Sequence, residues 1–458
     1  MNNIIEPIQS AADPLTNHMQ QYFYDLAALV QSRIHGSEQF TCWFSAEATD
    51  FVRFNQSLIR QPGHVHQMRL SLRLINGKRH AESSATLGGD LATDNAQCIR
   101  MLGQLRAQLD DLPDDPYLLF SQEIRNTEHI VPSSLPSSAA IVDQVLNAAV
   151  GTDLVGILAA GPVYRGFANS FGQRNWHQTA TFNLDWSLYQ NRDKAVKTSY
   201  AGLQWDAQTF QAKLASAKAQ LALLQRPAMT VKPGAYRVYL TPTALNELFS
   251  MLNWSGLSEK SLRTKQSALQ RMRDEGLELN PSVMLIEDTL NGVAPGFQQD
   301  GFIKPDQLKL LEHGKLTGSM ISPRTALEYD IANNGANAEE MTSSLDLAAG
   351  NLALANVLAE LGTGIFISNL WYLNFSDRAN CRITGMTRFA TFWVENGKIK
   401  APLNVMRFDD SLFRLLGNKL LGLTQERELL IDGESYGERR VGSTRLPGAL
   451  ISDVNFVL

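Results

Sequence analysis

Histidine is scarce in this chain, and its distribution is uneven. The 458 residues include eight histidines, and none lies between Gln178 and Glu312. No imidazole from that stretch can bind a metal or act as a base. Cysteine is scarcer: Cys42, Cys98 and Cys381 are odd in number and far apart, which excludes a disulfide framework and a CxxC metal knuckle. A reducing, cytoplasmic setting is expected. There is no excess of positive charge. The net charge of −5 leaves no electrostatic footprint for a phosphate backbone, so a nucleic-acid partner is not expected. No long apolar run occurs either. The most apolar stretch, residues 345–373, is interrupted by Asp346, Asn351, Asn356 and Glu360. It reads as a buried helix followed by a strand, and no membrane span is expected. The first fourteen residues lack the basic and apolar regions of a signal peptide. Walker and GxGxxG phosphate loops are also missing.

A normal core is affordable for this composition, with 44% hydrophobic and 19% charged residues. Helical spacing of apolar residues marks 20–34, 92–109, 139–150 and 209–224. Between them, β-like runs occupy 40–44, 51–53, 68–74 and 80–86, then 154–159, 163–169 and 179–189. Asn76-Gly77 supplies a hairpin turn, because this pair tolerates positive φ. The order helix, strands, helix thus occurs twice, which suggests a diverged duplication. The segment 225–234, with two prolines and a glycine, is the best boundary. Two domains follow from it: an N-terminal α+β domain of mixed helices and antiparallel sheet over 1–225, and a β-rich domain over 226–458. The fold class is α+β, since strands and helices are grouped without regular β-α-β alternation.

The most informative stretch is 371–402, WYLNFSDRANCRITGMTRFATFWVENGKIKAP. Thr384-Gly385 places a glycine where backbone passes closely or bulges. An aromatic and β-branched strand follows at 389–394. Glu395-Asn396-Gly397-Lys398 makes a turn, and a return strand ends at Pro402. This order resembles the C-terminal signature of the TldD/PmbA family, also called modulators of DNA gyrase, some of which are zinc peptidases. Further matches follow in family order: Lys232-Pro233-Gly234, Thr241-Pro242 opening a helix, 283–288 ending in Asp288, Phe297 to Gly301, and Leu311 to Leu316.

In catalytic members the resemblance implies HExxxH on the helix after Pro242, two histidines binding zinc and the glutamate activating water. Here that helix reads TALNELFSMLNW from Thr243 to Trp254. It holds no histidine, and Glu247 is its one carboxylate. The chain therefore resembles the PmbA/TldE branch. The resemblance implies a catalytically silent subunit assisting peptide proteolysis or maturation, paired with a TldD-like subunit or with itself as a dimer, and handling unfolded peptide. No zinc is expected in this chain; a TldD-like partner would supply it. The alternatives are a peptidase with a relocated metal site and a non-enzymatic homodimeric scaffold.

Other candidates are weaker. His64 and His66 would share one face of a strand, but no third ligand is evident and Pro62-Gly63 suggests a loop. His177, beside Trp176, is the remaining candidate ligand, and a structural role is the plainer reading for it. Cys381 reads as a free, buried thiol. Gly433-Glu434-Ser435-Tyr436-Gly437 matches a nucleophile elbow, yet no histidine follows it, so it reads as a polar turn. Arg382 and Arg388, with Arg407, could pair with a peptide carboxylate. Surface charge balancing is the plainer reading for all three.

Overall fold

Alternation along the strands decides how the first half is layered. The computed structural model describes residues 14–132, 134–190 and 194–457; the N-terminal stretch inspected for a signal peptide lies almost wholly outside them. The elements run α1 (Pro14–Ser32), β1 (Gln39–Asn55), β2 (Leu58–Asn76), β3 (Arg79–Leu87) and α2 (Leu91–Leu109). After β4 (Thr127–Ile130) come α3 (Ser138–Ala148), β5 (Asp153–Asn169), β6 (Arg174–Gln190), β7 (Lys194–Gly202) and α4 (Ala207–Leu224). Among the described residues these seven strands form one sheet in the order β3-β2-β1-β5-β6, with β4 and β7 both on the outer edge of β6.

Even-numbered residues of β1, Phe40, Cys42, Phe44, Val52 and Phe54, are buried beneath the four helices. Phe44, Cys42 and Phe40 are opposed by Leu70, Leu72 and Leu74 on β2, and Val52 by Leu158 on β5. Odd-numbered residues point to the other face, which is polar: Glu47 and Thr49 on β1, Arg165 on β5, His177 and Thr181 on β6. Side-chain caps fix the helix starts. Asp90 accepts from Thr93 N at 2.9 Å, and Asp206 accepts from Thr209 N at 2.9 Å.

The strands are longer than the apolar runs suggested. Residues 40–44 and 51–53 belong to one strand, β1, and 154–159 and 163–169 to another, β5. Gly161 keeps β5 continuous, since at φ +141° an added Cβ would sit 2.1 Å from Ala48 O. Pro62-Gly63 is not in a loop. Both lie in β2, where β3 no longer pairs with it and proline's missing donor faces no partner. The hairpin turn is Gly77-Lys78, with Gly77 at φ +63°.

The second half begins with β8 (Gly234–Leu240) and α5 (Pro242–Asn253). Four short helices follow in the order α6 (Glu259–Arg263), α7 (Gln270–Asp274), α8 (Pro323–Tyr329) and α9 (Val357–Leu361), with α10 (Leu412–Leu415) near the end. The strands are β9 (Leu285–Asp288), β10 (Gln307–Glu312), β11 (Lys315–Leu316), β12 (Ser344–Leu347), β13 (Gly364–Asp377), β14 (Arg382–Glu395), β15 (Lys398–Pro402), β16 (Arg407–Ser411), β17 (Leu420–Ile431) and β18 (Ser443–Phe456). Among the described residues these, with β8, form an eleven-stranded mixed sheet. Five of them, β18, β16, β14, β13 and β8, close into a ring because β8 pairs with both β13 and β18, and β12, β9, β10 and β11 extend from it as an arm ending at β11. The expected buried helix within 345–373 is a correction: its start is β12, and only 357–361 is α-helical. Gly350 and Gly362 break the run.

No described helix is long and apolar enough to cross a membrane. Ala390 and Phe392 of β14 join the core under α3 and α4, so the two halves are packed together.

Candidate functional site

The polar face of the first sheet looks onto the second half across a cleft of about 1080 Å³. Trp43, Arg165, Asn183 and Asp185 form one wall. Helix α5 forms another. Its apolar stripe, Ala244, Leu245, Leu248, Phe249 and Leu252, is buried in the C-terminal core. Its opposite stripe, Thr243, Asn246, Glu247 and Ser250, lines the cleft. These positions recur at helical spacing, which is why one short helix is half core and half cleft wall. Thr241 sets the start of the helix: its hydroxyl donates to Ser368 O at 2.6 Å, and Pro242 fills the first turn.

The residues present do not fit a zinc site. The cleft face of α5 carries a hydroxyl, an amide and a carboxylate where imidazoles would be needed. Among the described residues no group of three or more His, Cys, Asp or Glu side chains converges. Burial holds the Glu247 carboxyl above the usual carboxylate range, against an opposing pull from Lys197. Lys197 itself pairs with Asp185 at 3.0 Å.

Two bulges shape the wall contributed by β13 and β14. Register shifts fall between Ile367 and Asn369 and between Trp371 and Asn374. Tyr372 at φ +57° and Phe389 at φ +56° sit in the left-handed region beside them, an unfavourable conformation for an aromatic residue. The bulges turn Trp371 and Tyr372 outward. The Arg388 guanidinium lies 4.8 Å from the Trp371 ring centre and 5.2 Å from that of Phe389, within cation–π range. Trp371, Arg388 and Phe389 line the cleft.

The floor is closed by residues 432–442, between β17 and β18. Arg439 is buried: its main-chain N donates to Glu47 Oε1 at 3.1 Å and its Nη1 to Gly161 O at 3.1 Å, and its Nη2 contacts the Thr181 hydroxyl. Arg165 Nη2 donates to Arg439 O at 2.9 Å. Glu47 also accepts from Gln67 at 2.6 Å and Thr49 at 2.6 Å. Burial lowers both arginine pKa values, that of Arg439 to about 10. The GxSxG pattern lies in this loop with no histidine beside Ser435, and Tyr436 is fully exposed.

The candidate histidines are not brought together. His64 and His66 sit on the helix-bearing face of β2, where His64 Nδ1 lies 2.8 Å from Asp50 Oδ1. His177 occupies the opposite face of β6, three strands away, or roughly 14 Å at normal strand spacing. It is fully buried, and Nε2 donates to Val293 O at 3.0 Å. Nδ1 is therefore unprotonated, and it receives His129 Nδ1–H at 3.3 Å. Burial, then His129, pushes the His177 pKa down to about 3. Sequence reasoning missed His129, because only the parallel pairing of β4 with β6 places it opposite His177. It also missed Glu47 and Arg165; the signal for Arg165 was the one charge in the otherwise uncharged run 154–169 of β5.

Of the three arginines singled out in the sequence, Arg382, Arg388 and Arg407, Arg388 alone lines the cleft. Arg382 is bound to Asp409, including Nη2 to Asp409 O at 3.1 Å, and Arg407 donates to Thr384 Oγ1 at 2.9 Å. Cys381 is a buried free thiol whose pKa burial pushes up to about 12. Gly385 is a close approach of side chains and not of backbone, since an added Cβ would lie 2.8 Å from the Phe408 ring and 2.9 Å from the Leu373 side chain.

Comparison with known proteins agrees with this architecture. Residues 233–457 match the PmbA/TldA metallopeptidase C-terminal domain. A candidate modulator of DNA gyrase from Thermotoga maritima superposes with a TM-score of 0.74 at 14% identity, covering 96% of this chain and 100% of that one. TldE from Thermococcus kodakarensis gives 0.75 at 13% identity, over 95% and 100%. A second candidate gyrase modulator, from Bacteroides thetaiotaomicron, gives 0.70 at 16% identity, over 97% and 99%. No curated protein matches. The expected resemblance and the α+β fold are borne out.

Proposed function

The chain is a member of the TldD/PmbA family, and from that premise we propose that it is a PmbA/TldE-like subunit, catalytically silent itself, that holds peptide for a TldD-like zinc peptidase. The observation that carries this reading is the cleft face of α5. It retains the place of a catalytic helix, half in the core and half in the cleft, while presenting Thr243, Asn246, Glu247 and Ser250. None of these can replace an imidazole as a zinc ligand except the single carboxylate. A cleft of about 1080 Å³ is at the upper end for small-molecule sites and suits an extended chain of several residues.

The experiment is reconstitution. The untagged chain, mixed with a TldD-like zinc peptidase, should co-elute on size exclusion and raise cleavage of an unfolded peptide above that of the peptidase alone. The isolated chain should hold zinc well below one equivalent and cleave nothing. Stoichiometric zinc with intrinsic cleavage would overturn the reading in favour of a peptidase with a relocated site. A stable homodimer that neither binds nor stimulates such a peptidase would overturn it in favour of a scaffold.

A further inference from the structure

Most charges lining the cleft are matched. Lys197 faces Asp185 at 3.0 Å, Arg440 faces Glu434 at 3.1 Å, Arg165 faces Glu438 at 3.5 Å, and Lys304 faces Glu287 at 4.0 Å. Among the described residues, three cleft-lining charges have no ion-pair partner: Glu339, Glu247 and Arg388. Glu339 is exposed at the rim, where water solvates it. Glu247 is less accessible, and Arg388, though exposed, is held between two aromatic rings. Glu247 is partly buried on α5, and the cation that pulls on it, Lys197, is paired with Asp185; partial removal of a carboxylate from water is costly. Arg388 is flanked by the Trp371 and Phe389 rings and set there by a bulge that forces Phe389 to φ +56°. Strain of this kind persists where surrounding structure enforces it, commonly at a binding site.

Their spacing follows from the fold. Thr241 bonds Ser368 O, and the adjacent Asn369 is the register partner of Arg388. Glu247 lies farther along α5 from Thr241, by about 9 Å at the helical rise of 1.5 Å per residue. One strand spacing, about 5 Å, separates Asn369 from Arg388. With the Thr241–Ser368 hydrogen bond and the step to Asn369 included, the backbone path from Glu247 to Arg388 is roughly 20–25 Å, an upper bound on their Cα separation. Both line one cleft, so an extended peptide of up to about six residues can reach from one to the other.

Resting on the reading of the cleft as a peptide-holding groove, we infer that it selects short free peptides by both ends, Glu247 receiving the α-ammonium and Arg388 the α-carboxylate. Arg388 can grip a carboxylate bidentately while staying over the Trp371 ring. A segment within a long chain offers neither terminus, so it gains nothing from either charge. The peptides that fit are fragments, and the class of reaction that must supply them is endoproteolysis of a larger chain.

Calorimetric titration of the full chain with tri-, tetra- and penta-alanine tests this, each in free, N-acetylated and C-amidated form. Free peptides should bind best, with affinity peaking inside this length window. Each cap should weaken binding by about tenfold or more. Glu247→Gln should abolish the distinction between free and N-acetylated peptide while leaving the penalty for C-amidation intact. Arg388→Gln should do the converse. A variant that is merely misfolded cannot give this crossed pattern. Equal binding of free and capped peptides, with a reduced and carboxymethylated unfolded protein also bound, would overturn end recognition and leave the groove standing. Failure of every peptide and of the unfolded protein would overturn both.

Discussion

Arg165 Nη2 donates to the main-chain oxygen of Arg439 at 2.9 Å, with both guanidinium groups buried. Two like charges from opposite halves of the chain thus meet at the polar face of the first sheet. Glu47, 2% exposed, lies beneath them and accepts from Arg439 N, Gln67 and Thr49. The loop 432–442 is bound to the N-terminal sheet through this cluster, which forms the floor of the cleft.

Glu47→Ala removes the one fully buried carboxylate under two cations. The expected loss of stability is about 3–5 kcal/mol, since three donors lose their acceptor and two buried guanidinium groups lose a neighbouring negative charge. Arg439→Met should be milder, because Arg165 remains to face Glu47 and the methionine refills the space. Urea unfolding of the three proteins checks the order. A Glu47→Ala loss no larger than that of Arg439→Met would show that the cluster is held by packing and not by charge.

The turn at Asn396-Gly397 gives a second expectation. Asn396 at φ +50° and Gly397 at φ +71° form the two-residue loop between β14 and β15. An added Cβ at Gly397 would approach Ala359 Cα to 3.2 Å. Gly397→Ala should therefore destabilise by about 1–2 kcal/mol from left-handed strain, plus whatever displacement of α9 it causes. Asn396→Gly should be close to neutral, since both residues tolerate this conformation. Thermal melts of the two variants separate these outcomes.

How much of this was legible beforehand differs by element. The hairpin at Asn396-Gly397 and the helix α5 were readable because local rules, turn chemistry and a 3.6-residue stripe, determine them. The extent of β1 and β5 was not, because Asp50 and Gly161-Pro162 look like breaks in isolation. In the sheet their neighbours on both sides supply the ladder. The absence of a histidine pair on α5 was read directly from letters. That Arg388 lines the cleft while Arg382 is consumed by Asp409 depends on which strand neighbours which, and a single sequence does not carry that pairing.

His177 should make the protein acid-sensitive. Its folded pKa is about 3, against roughly 6.5 in an unfolded chain. The unfolded state thus binds the proton more readily. The stability His177 contributes is complete above about pH 6.5 and erodes as pH falls toward 3, at up to about 1.4 kcal/mol per pH unit. His177→Gln retains an N–H donor for Val293 O without the titration. Relative to the parent, its urea midpoint should improve steadily from pH 6.5 to pH 4. Parallel midpoints across that range would mean that His177 stays hydrated when protonated.

Glu247 should behave with the opposite sign. Burial raises its folded pKa above the ordinary glutamate value, so the folded state holds the proton more tightly than the unfolded one. Its favourable contribution is present at low pH, below the unfolded pKa of about 4.3, and is lost as pH rises through the folded pKa. At pH 7 the ionised carboxylate is a liability in the empty cleft. Glu247→Gln should therefore be more stable than the parent at pH 7 and indistinguishable from it near pH 3.5, by differential unfolding at the two pH values. A gain in stability paired with a loss of free-peptide binding would mark Glu247 as a group kept for its ligand at the expense of the fold. Destabilisation by Glu247→Gln at pH 7 would instead mean that the carboxylate already has a cationic partner when folded, and Lys197 is the residue placed to supply one.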